Sequence, residues 1–412
     1  MDRRNTIFLV CLFALRFAAS VPRAQRVQDD AAPRPQSPAP ARFAYGGNAA
    51  EIPAEFIGNL VFLPVRVNGG KPSLFDLDSR AHATSIDPMR ADTLGLKIGP
   101  APGSGPPSIG DCVLNLPGVD FPVSSLAVLG RNDFGSQVGR SNEGTFGNDF
   151  FARTVVAIDY ARRTVQLYDP LVYQYSGPGT RFHLIFVDGM PVIRAKFSVS
   201  RGKTLEANFA VNTGRDASAV ISDQYAEAHH VFSSHLRTIP AVDPQSDGEQ
   251  SAVLGRLKEF ELGPFSFLEG VIAVFSASTP PGGSNSRLAG EIGGGLLRRF
   301  TVIFDYPHQQ MILEPNAHFS DEDQEDKSGI SVIARGADLK IFEVAQVQPG
   351  TPAAAAGIQK GDVIAGVDED AASNLTLAEL RDLFRQIGHQ YKLVIARSGQ
   401  TTEITVRMRR LL

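Results

Sequence analysis

One hairpin occurs twice in this chain of 412 residues, and it constrains the fold more than any other feature. In the first copy Val155-Val156-Ala157-Ile158-Asp159-Tyr160 runs through Ala161-Arg162-Arg163 into Thr164-Val165-Gln166-Leu167-Tyr168-Asp169-Pro170. Far downstream, Thr301-Val302-Ile303-Phe304-Asp305-Tyr306 runs through Pro307-His308-Gln309 into Gln310-Met311-Ile312-Leu313-Glu314-Pro315. Both follow one plan: strand, Asp-Tyr turn, strand, acid-Pro stop. Each is preceded by a glycine turn and an apolar pair, Gly147-Asn148-Asp149-Phe150-Phe151 and Gly293-Gly294-Gly295-Leu296-Leu297. A lone hairpin is common, but its return with the same flanks means two copies of one lobe. The copies are too few and too long for a solenoid, whose short units stack on their neighbours.

A second matched pair lies upstream of each hairpin. It is Leu74-Phe75-Asp76-Leu77-Asp78-Ser79-Arg80-Ala81 in the first copy and Ala207-Asn208-Phe209-Ala210-Val211-Asn212-Thr213-Gly214-Arg215 in the second. Each is an apolar strand ending in an acid or amide followed by a hydroxyl residue. The body from Ile52 to Pro315 alternates short Val/Ile/Phe runs with Gly, Pro, Asn and Asp clusters, which predicts strands. Examples are Leu60 to Val67, Thr154 to Tyr160, Thr164 to Tyr168, Val192 to Val199 and Phe300 to Phe304.

On these residues the body resembles the retropepsin-type aspartic proteases, in the double-lobed form that bacteria join to a PDZ domain. The resemblance covers residues 52–315 and, with the tail, 328–411. It implies a mostly β chain: a two-lobed retropepsin-like acid-protease β-barrel body plus a small α+β PDZ domain. The lobes are expected over 45–178 and 179–318, an acidic linker over 319–328 and the PDZ domain over 329–412.

In that family each lobe supplies one Asp-Thr/Ser-Gly. Two carboxyl groups a few ångströms apart share one proton; the ionised member activates water and the protonated member donates to the scissile carbonyl. The catalytic positions implied are Asp78 with Ser79 and Asn212 with Thr213, the hydroxyls bracing the loops. The sequence departs from the pattern twice. Arg80 stands at the first glycine position, and Asn212, which cannot share a proton, stands at the second aspartate position. Arg80 is expected near Asp78, holding it ionised, and Asp76 is expected to pair with Arg80 or reach solvent. Three readings stay open: a lost or weakened protease that still binds extended polypeptide, an aspartic endopeptidase using Asp78 with Asn212 or Asp76, and a β body without a cleft function. Asp78 as a mere strand-end turn residue is the plainer alternative.

The tail carries its own pattern. Val344 to Val347 reads as a strand into the Pro349-Gly350 turn, and Thr351 is expected to cap a short helix with Pro352 at its first position and Gly357 past its end. Lys360-Gly361-Asp362 turns into a strand Val363 to Val367. An amphipathic helix follows over Thr376 to Ile387, with Leu377, Leu380, Leu383, Phe384 and Ile387 on one face. Strands Lys392 to Arg397 and Glu403 to Met408 close the unit. This run resembles the PDZ domains of bacterial proteases, which bind peptide as an added strand. The likeness implies a peptide between strand Ile341 to Val347 and the helix, with Ala337, Asp338, Leu339, Ile341 and Leu380 as contacts. A module that only braces the body is the alternative.

Other features narrow the function. Net charge is -4, with no basic face for nucleic acid. Gly293-Gly294-Gly295 lacks the Lys-Ser/Thr of a phosphate cradle and predicts a tight β turn. His229-His230 has no partners at ligand spacing and predicts a solvated helix end; His82 is expected at the surface. No metal or organic cofactor is implied, and the expected partner is polypeptide. Arg3-Arg4, the apolar run Ile7 to Leu15 and the small residues near Ser20 and Ala24 form a secretory signal over residues 1–24. Membrane contact is expected only if that segment is retained. A Pro/Ala-rich linker is expected over 25–44. After signal removal Cys112 is the one cysteine left, so the core alone must hold the fold in a bacterial periplasm or outside the cell.

Overall fold

The computed structural model describes residues 40–412 apart from 101–104, 132–133, 201–202, 233–235, 244–249 and 277–287. The expected signal segment and most of the Pro/Ala-rich stretch lie outside these residues. Arg42–Phe43, from the end of that stretch, pairs with Val119 and Asp120.

The doubled sequence folds as a doubled topology. In the first lobe, strand Pro72–Leu77 runs parallel to Gly144–Phe146, which is antiparallel to Ser85–Ile86, itself parallel to the end of Val119–Val128. In the second lobe, Lys203–Asn212 runs parallel to Gly290–Gly293, which is antiparallel to Ala219–Ser222, itself parallel to Ile272–Ser276. The registers match: Asp76 faces Thr145 where Ala210 faces Glu291. The repeated hairpins meet in a six-stranded sheet shared by both lobes. Its centre is the antiparallel pair Val155–Asp159 and Phe300–Asp305, with Ala157 opposite Ile303 and Ile158 opposite Val302. A pseudo-two-fold axis therefore passes through this pair.

Burial follows the alternation read from the sequence, and one apolar cluster runs through both lobes from Phe75 and Phe146 to Phe209, Ile292 and Phe304. Phe151 stacks on Tyr306 across the axis with ring centroids 5.3 Å apart. The strand Leu60–Val67 has the expected bounds, as does Thr164–Tyr168. The glycine triplet departs from expectation: it is no β turn but enters a one-turn helix, Gly294–Leu297, mirrored by Asn148–Phe151 in the first lobe. A Cβ at Gly295 would stand 2.5 Å from the Ser218 hydroxyl, and one at Gly147 would stand 2.5 Å from the Ala83 carbonyl carbon. Close backbone approach, rather than turn geometry, requires glycine there.

The C-terminal unit has its own six-stranded sheet and apolar core. Its sheet order is Ile330–Arg335, Ile341–Val347, Val363–Val367, Gln390–Arg397, Gln400–Arg407. The helix Leu377–Phe384 starts in a full capping box between Thr376 and Glu379. It stops at Phe384, leaving Ile387 beyond its end and 60% exposed, so that residue does not join the apolar face. Thr351 precedes Pro352–Ala355 but does not cap it; its hydroxyl donates back to the Gln348 carbonyl at 2.6 Å.

Candidate functional site

The two strand ends that the sequence pairs across lobes do meet. Ser79 and Thr213, both fully buried, make four hydrogen bonds across the axis, two of them with each other. The Ser79 amide donates to the Thr213 hydroxyl at 2.9 Å, and the Thr213 amide donates to the Ser79 hydroxyl at 3.1 Å. Each hydroxyl then donates to the main chain of the opposite lobe, Ser79 to the Val211 carbonyl at 2.7 Å and Thr213 to the Leu77 carbonyl at 2.8 Å. This reciprocal lock fixes the loops bearing Asp78 and Asn212, both buried. Replacing Ser79 by alanine strands the Val211 carbonyl and the Thr213 amide in the seam. The expected cost is about 2–3 kcal/mol, read as a lower urea midpoint with an unchanged slope; a shift within error would mean the lock does not hold the lobes.

The second lobe comes close to the first at Gly214. A Cβ there would lie 2.5 Å from the Asp78 carboxyl carbon, so this position admits no side chain without moving Asp78. The Asp78 Oδ1 accepts from the Arg80 amide at 2.9 Å and from the Ala81 amide at 3.2 Å. Beneath it the Tyr306 hydroxyl donates to the Ser79 carbonyl at 3.4 Å. Burial pushes the Tyr306 phenol well up, and the Asp78 charge adds to that, so Tyr306 stays a neutral donor. The other copy of the repeated tyrosine, Tyr160, is buried without such a role.

Asn212 is engaged at both ends of its carboxamide. Its oxygen accepts from the Gly214 amide at 2.9 Å, and its nitrogen donates to Glu291 Oε2 at 3.0 Å. Glu291 is the residue that inspection of the sequence missed. It is buried and forms ion pairs with Arg80 from the first lobe and with Arg215 at 3.3 Å. Burial alone would raise its carboxyl, but Arg80, then Arg215, and the Asn212 amide bring it below the ordinary glutamate value. Glu291 is thus an anion with no proton to give.

This corrects the expected place of Arg80. Its backbone lies beside Asp78, but its guanidinium crosses to Glu291, where a buried carboxylate offers a stronger partner than one already held by two amides. A cation near Asp78 is Arg131, with Nη1 3.6 Å from Asp78 Oδ2 and 2.7 Å from Asp76 Oδ2. Asp76 neither pairs with Arg80 nor reaches solvent: it is 1% exposed and accepts from Thr145 at 2.7 Å and Asn142 at 3.0 Å. Burial raises its carboxyl above the ordinary value despite Arg131. Each motif loop therefore has a buried acid and an arginine behind it, from different sequence positions. His82 and His229-His230 are exposed, and His229 stacks on Tyr225 at 4.1 Å between ring centroids.

The expected peptide groove also moves. Strand Ile341–Val347 is paired on both sides, with Ile330–Arg335 and with Val363–Val367, and cannot accept an added strand. Ala337, Asp338 and Leu339 occupy the turn between the first two strands, and Leu380 is fully buried in the core. The terminal strand of the sheet, beside the helix, is Ile330–Arg335. The loop at its start is Lys327-Ser328-Gly329-Ile330, whose last three amides donate to Asp326 Oδ1.

A family model of the PDZ domain matches residues 318–396. No curated protein matches the chain in sequence. Among solved structures, the aspartic proteinase from Irpex lacteus is 13% identical over 66% of this chain and 98% of its own, with a TM-score of 0.39. The photosystem II D1 C-terminal processing protease is 29% identical, with a TM-score of 0.19. That match takes in 21% of this chain and 23% of the other, so the chain spans under a quarter of that protein's length. The family assignment these comparisons give is for the C-terminal unit, which is a PDZ domain.

Proposed function

We propose that this chain is an exported, retropepsin-like protein that holds extended polypeptide and has lost endopeptidase activity. Its lobes would span 45–178 and 179–318. The observation that carries the proposal is the Asn212 carboxamide, which donates to the anionic Glu291 instead of sharing a proton with Asp78. A working pair needs one carboxyl as base and one as acid. Here the second position is a carboxamide, with no acidic proton to give and no basic oxygen to take one, and Arg131 lies against the first. The intact lock of Ser79 and Thr213 keeps the seam assembled, which suits a binding role. The PDZ domain adds a second surface for polypeptide.

Fluorescein-labelled β-casein, an unstructured polypeptide, tests both halves. The full chain is expected to bind it by anisotropy between pH 3.5 and 7 while releasing no new N-termini. Cleavage that pepstatin blocks and Asp78→Asn abolishes would establish an active endopeptidase and end this proposal.

A further inference from the structure

The PDZ docking edge is not open in this chain. A helix of the first lobe, Phe134–Val138, packs directly against strand Ile330–Arg335. Its inner face is anchored in the lobe by Phe134 and Val138, which pack with Leu60 and Phe62. Just past its end, Gly139 sits so close to the first residue of the PDZ helix that a Cβ on it would stand 2.6 Å from the Leu377 Cβ. Gly139 also has φ of +76°, so glycine serves both the turn and the approach. From the other wall of the groove, Arg381 Nη2 donates to the Val332 carbonyl at 2.7 Å. That carbonyl lies on the edge strand itself. At the start of the strand, Asp326 Oδ1 accepts from the amides of Ser328 at 2.8 Å, Gly329 at 2.6 Å and Ile330 at 3.4 Å. The chain's own carboxylate thus takes the amides that would receive a peptide terminus.

We propose that the PDZ groove between strand Ile330–Arg335 and helix Leu377–Phe384 is closed in cis by helix Phe134–Val138 of the first lobe, and that an extended peptide enters only by displacing that helix. The groove and the seam are then one device. Arg131, three residues before Phe134, lies over the Phe134 ring at 3.8 Å and against Asp76 and Asp78. A peptide that lifts the helix loosens the cation next to Asp78. This inference rests on the polypeptide-binding role proposed above.

The test uses the full chain as wild type, Gly139→Ala and Leu377→Ala. The first forces the helix off the PDZ domain, and the second removes the Leu377 Cγ and Cδ2 atoms that face Gly139, thinning the contact without touching the helix backbone. Hydrogen exchange is expected to accelerate at 134–140 and 330–335 in both variants while strands Gln390–Arg397 and Gln400–Arg407 keep their protection. The probe is an equimolar pool of fluorescein-labelled octapeptides ending in Leu, Val, Phe or Ala, each as acid and as amide. Because a closed groove lowers apparent affinity by the fraction open, both variants are expected to bind the pool at least about tenfold tighter than wild type. Acid and amide forms are expected to bind alike, since Asp326 already fills the amide nest. Unchanged exchange in both segments, or equal peptide affinity in all three proteins, overturns the cis closure while leaving the polypeptide-binding role intact. Accelerated exchange without peptide binding by any form instead overturns that role at the PDZ domain and leaves the contact standing.

Discussion

Glu291→Ala is expected to destabilise the chain by about 3–5 kcal/mol, the cost of removing one partner from a buried ion pair. The carboxylate lies between Arg215, whose side chain is 5% exposed, and Arg80, which is 33% exposed. The Arg80 contact is partly screened by water, so the larger share of the loss comes from the buried side. The same substitution deprives the Asn212 amide of its acceptor. Arg215 belongs to the same lobe as Glu291 and Arg80 to the other, so the larger share of the loss falls within the second lobe and the Arg80 share on lobe–lobe association. The pH dependence follows from the lowered carboxyl. A group whose folded value lies below its unfolded one stabilises fully above the unfolded value and loses that contribution as pH falls through the folded one. The gap between wild type and variant is therefore widest above about pH 4.5 and narrows on acidification. Urea midpoints at pH 7 and pH 3 measure it; an equal gap at both, or none, would show that the Glu291 charge does not hold the lobes.

How much of this was legible beforehand depends on range in sequence. The twin hairpins were readable because strand, Asp-Tyr turn and strand are all local signals, and their order is preserved in the two copies. The Ser79/Thr213 pair was readable by the same repeat. Glu291 was not, because its neighbour is set by a parallel register between Lys203–Asn212 and Gly290–Gly293 rather than by adjacency. A signal did exist: a lone acid inside Ala289-Gly290-Glu291-Ile292-Gly293, where the first copy has Thr145 before Phe146-Gly147. Arg131 gave none, since nothing local points a loop arginine at Asp76. The PDZ edge was misplaced for a related reason. Propensity finds strands, but only the sheet order tells that Ile341–Val347 is interior and Ile330–Arg335 is the edge. The charge of 319–328 points to an acidic linker, yet Glu325 and Lys327 are buried there, Glu325 pairing with Arg256 at 2.9 Å and Lys327 at 3.0 Å.

Restoring the dyad is expected to take three substitutions rather than one. Asn212→Asp alone puts a carboxylate where an amide now donates to Glu291 Oε2 at 3.0 Å, so two acids face each other with no donor between them. Either they repel and the position-212 carboxylate is displaced, or they share a proton with each other; in both cases position 212 does not share a proton with Asp78. Arg80 adds a steric obstacle. Its counterpart, Gly214, lies so near Asp78 that a Cβ would meet the carboxyl carbon at 2.5 Å. Arg80 stands at the pseudo-two-fold counterpart of that glycine and carries a full side chain across to Glu291. Glu291→Thr copies the first lobe, where Thr145 faces Asp76, and Arg80→Gly clears the approach. Casein cleavage at pH 3.5–5 is expected to be undetectable for wild type and for Asn212→Asp, and to rise by about 10²- to 10⁴-fold over wild type in the triple variant, the usual worth of one acid–base partner. That activity is expected to be pepstatin-sensitive and to vanish when Asp78→Asn is added. A fully active single variant would show that Glu291 and Arg80 never guarded the seam. A folded but inert triple variant would mean that the seam lost its chemistry elsewhere, with Arg131 against Asp78 the contact to remove next.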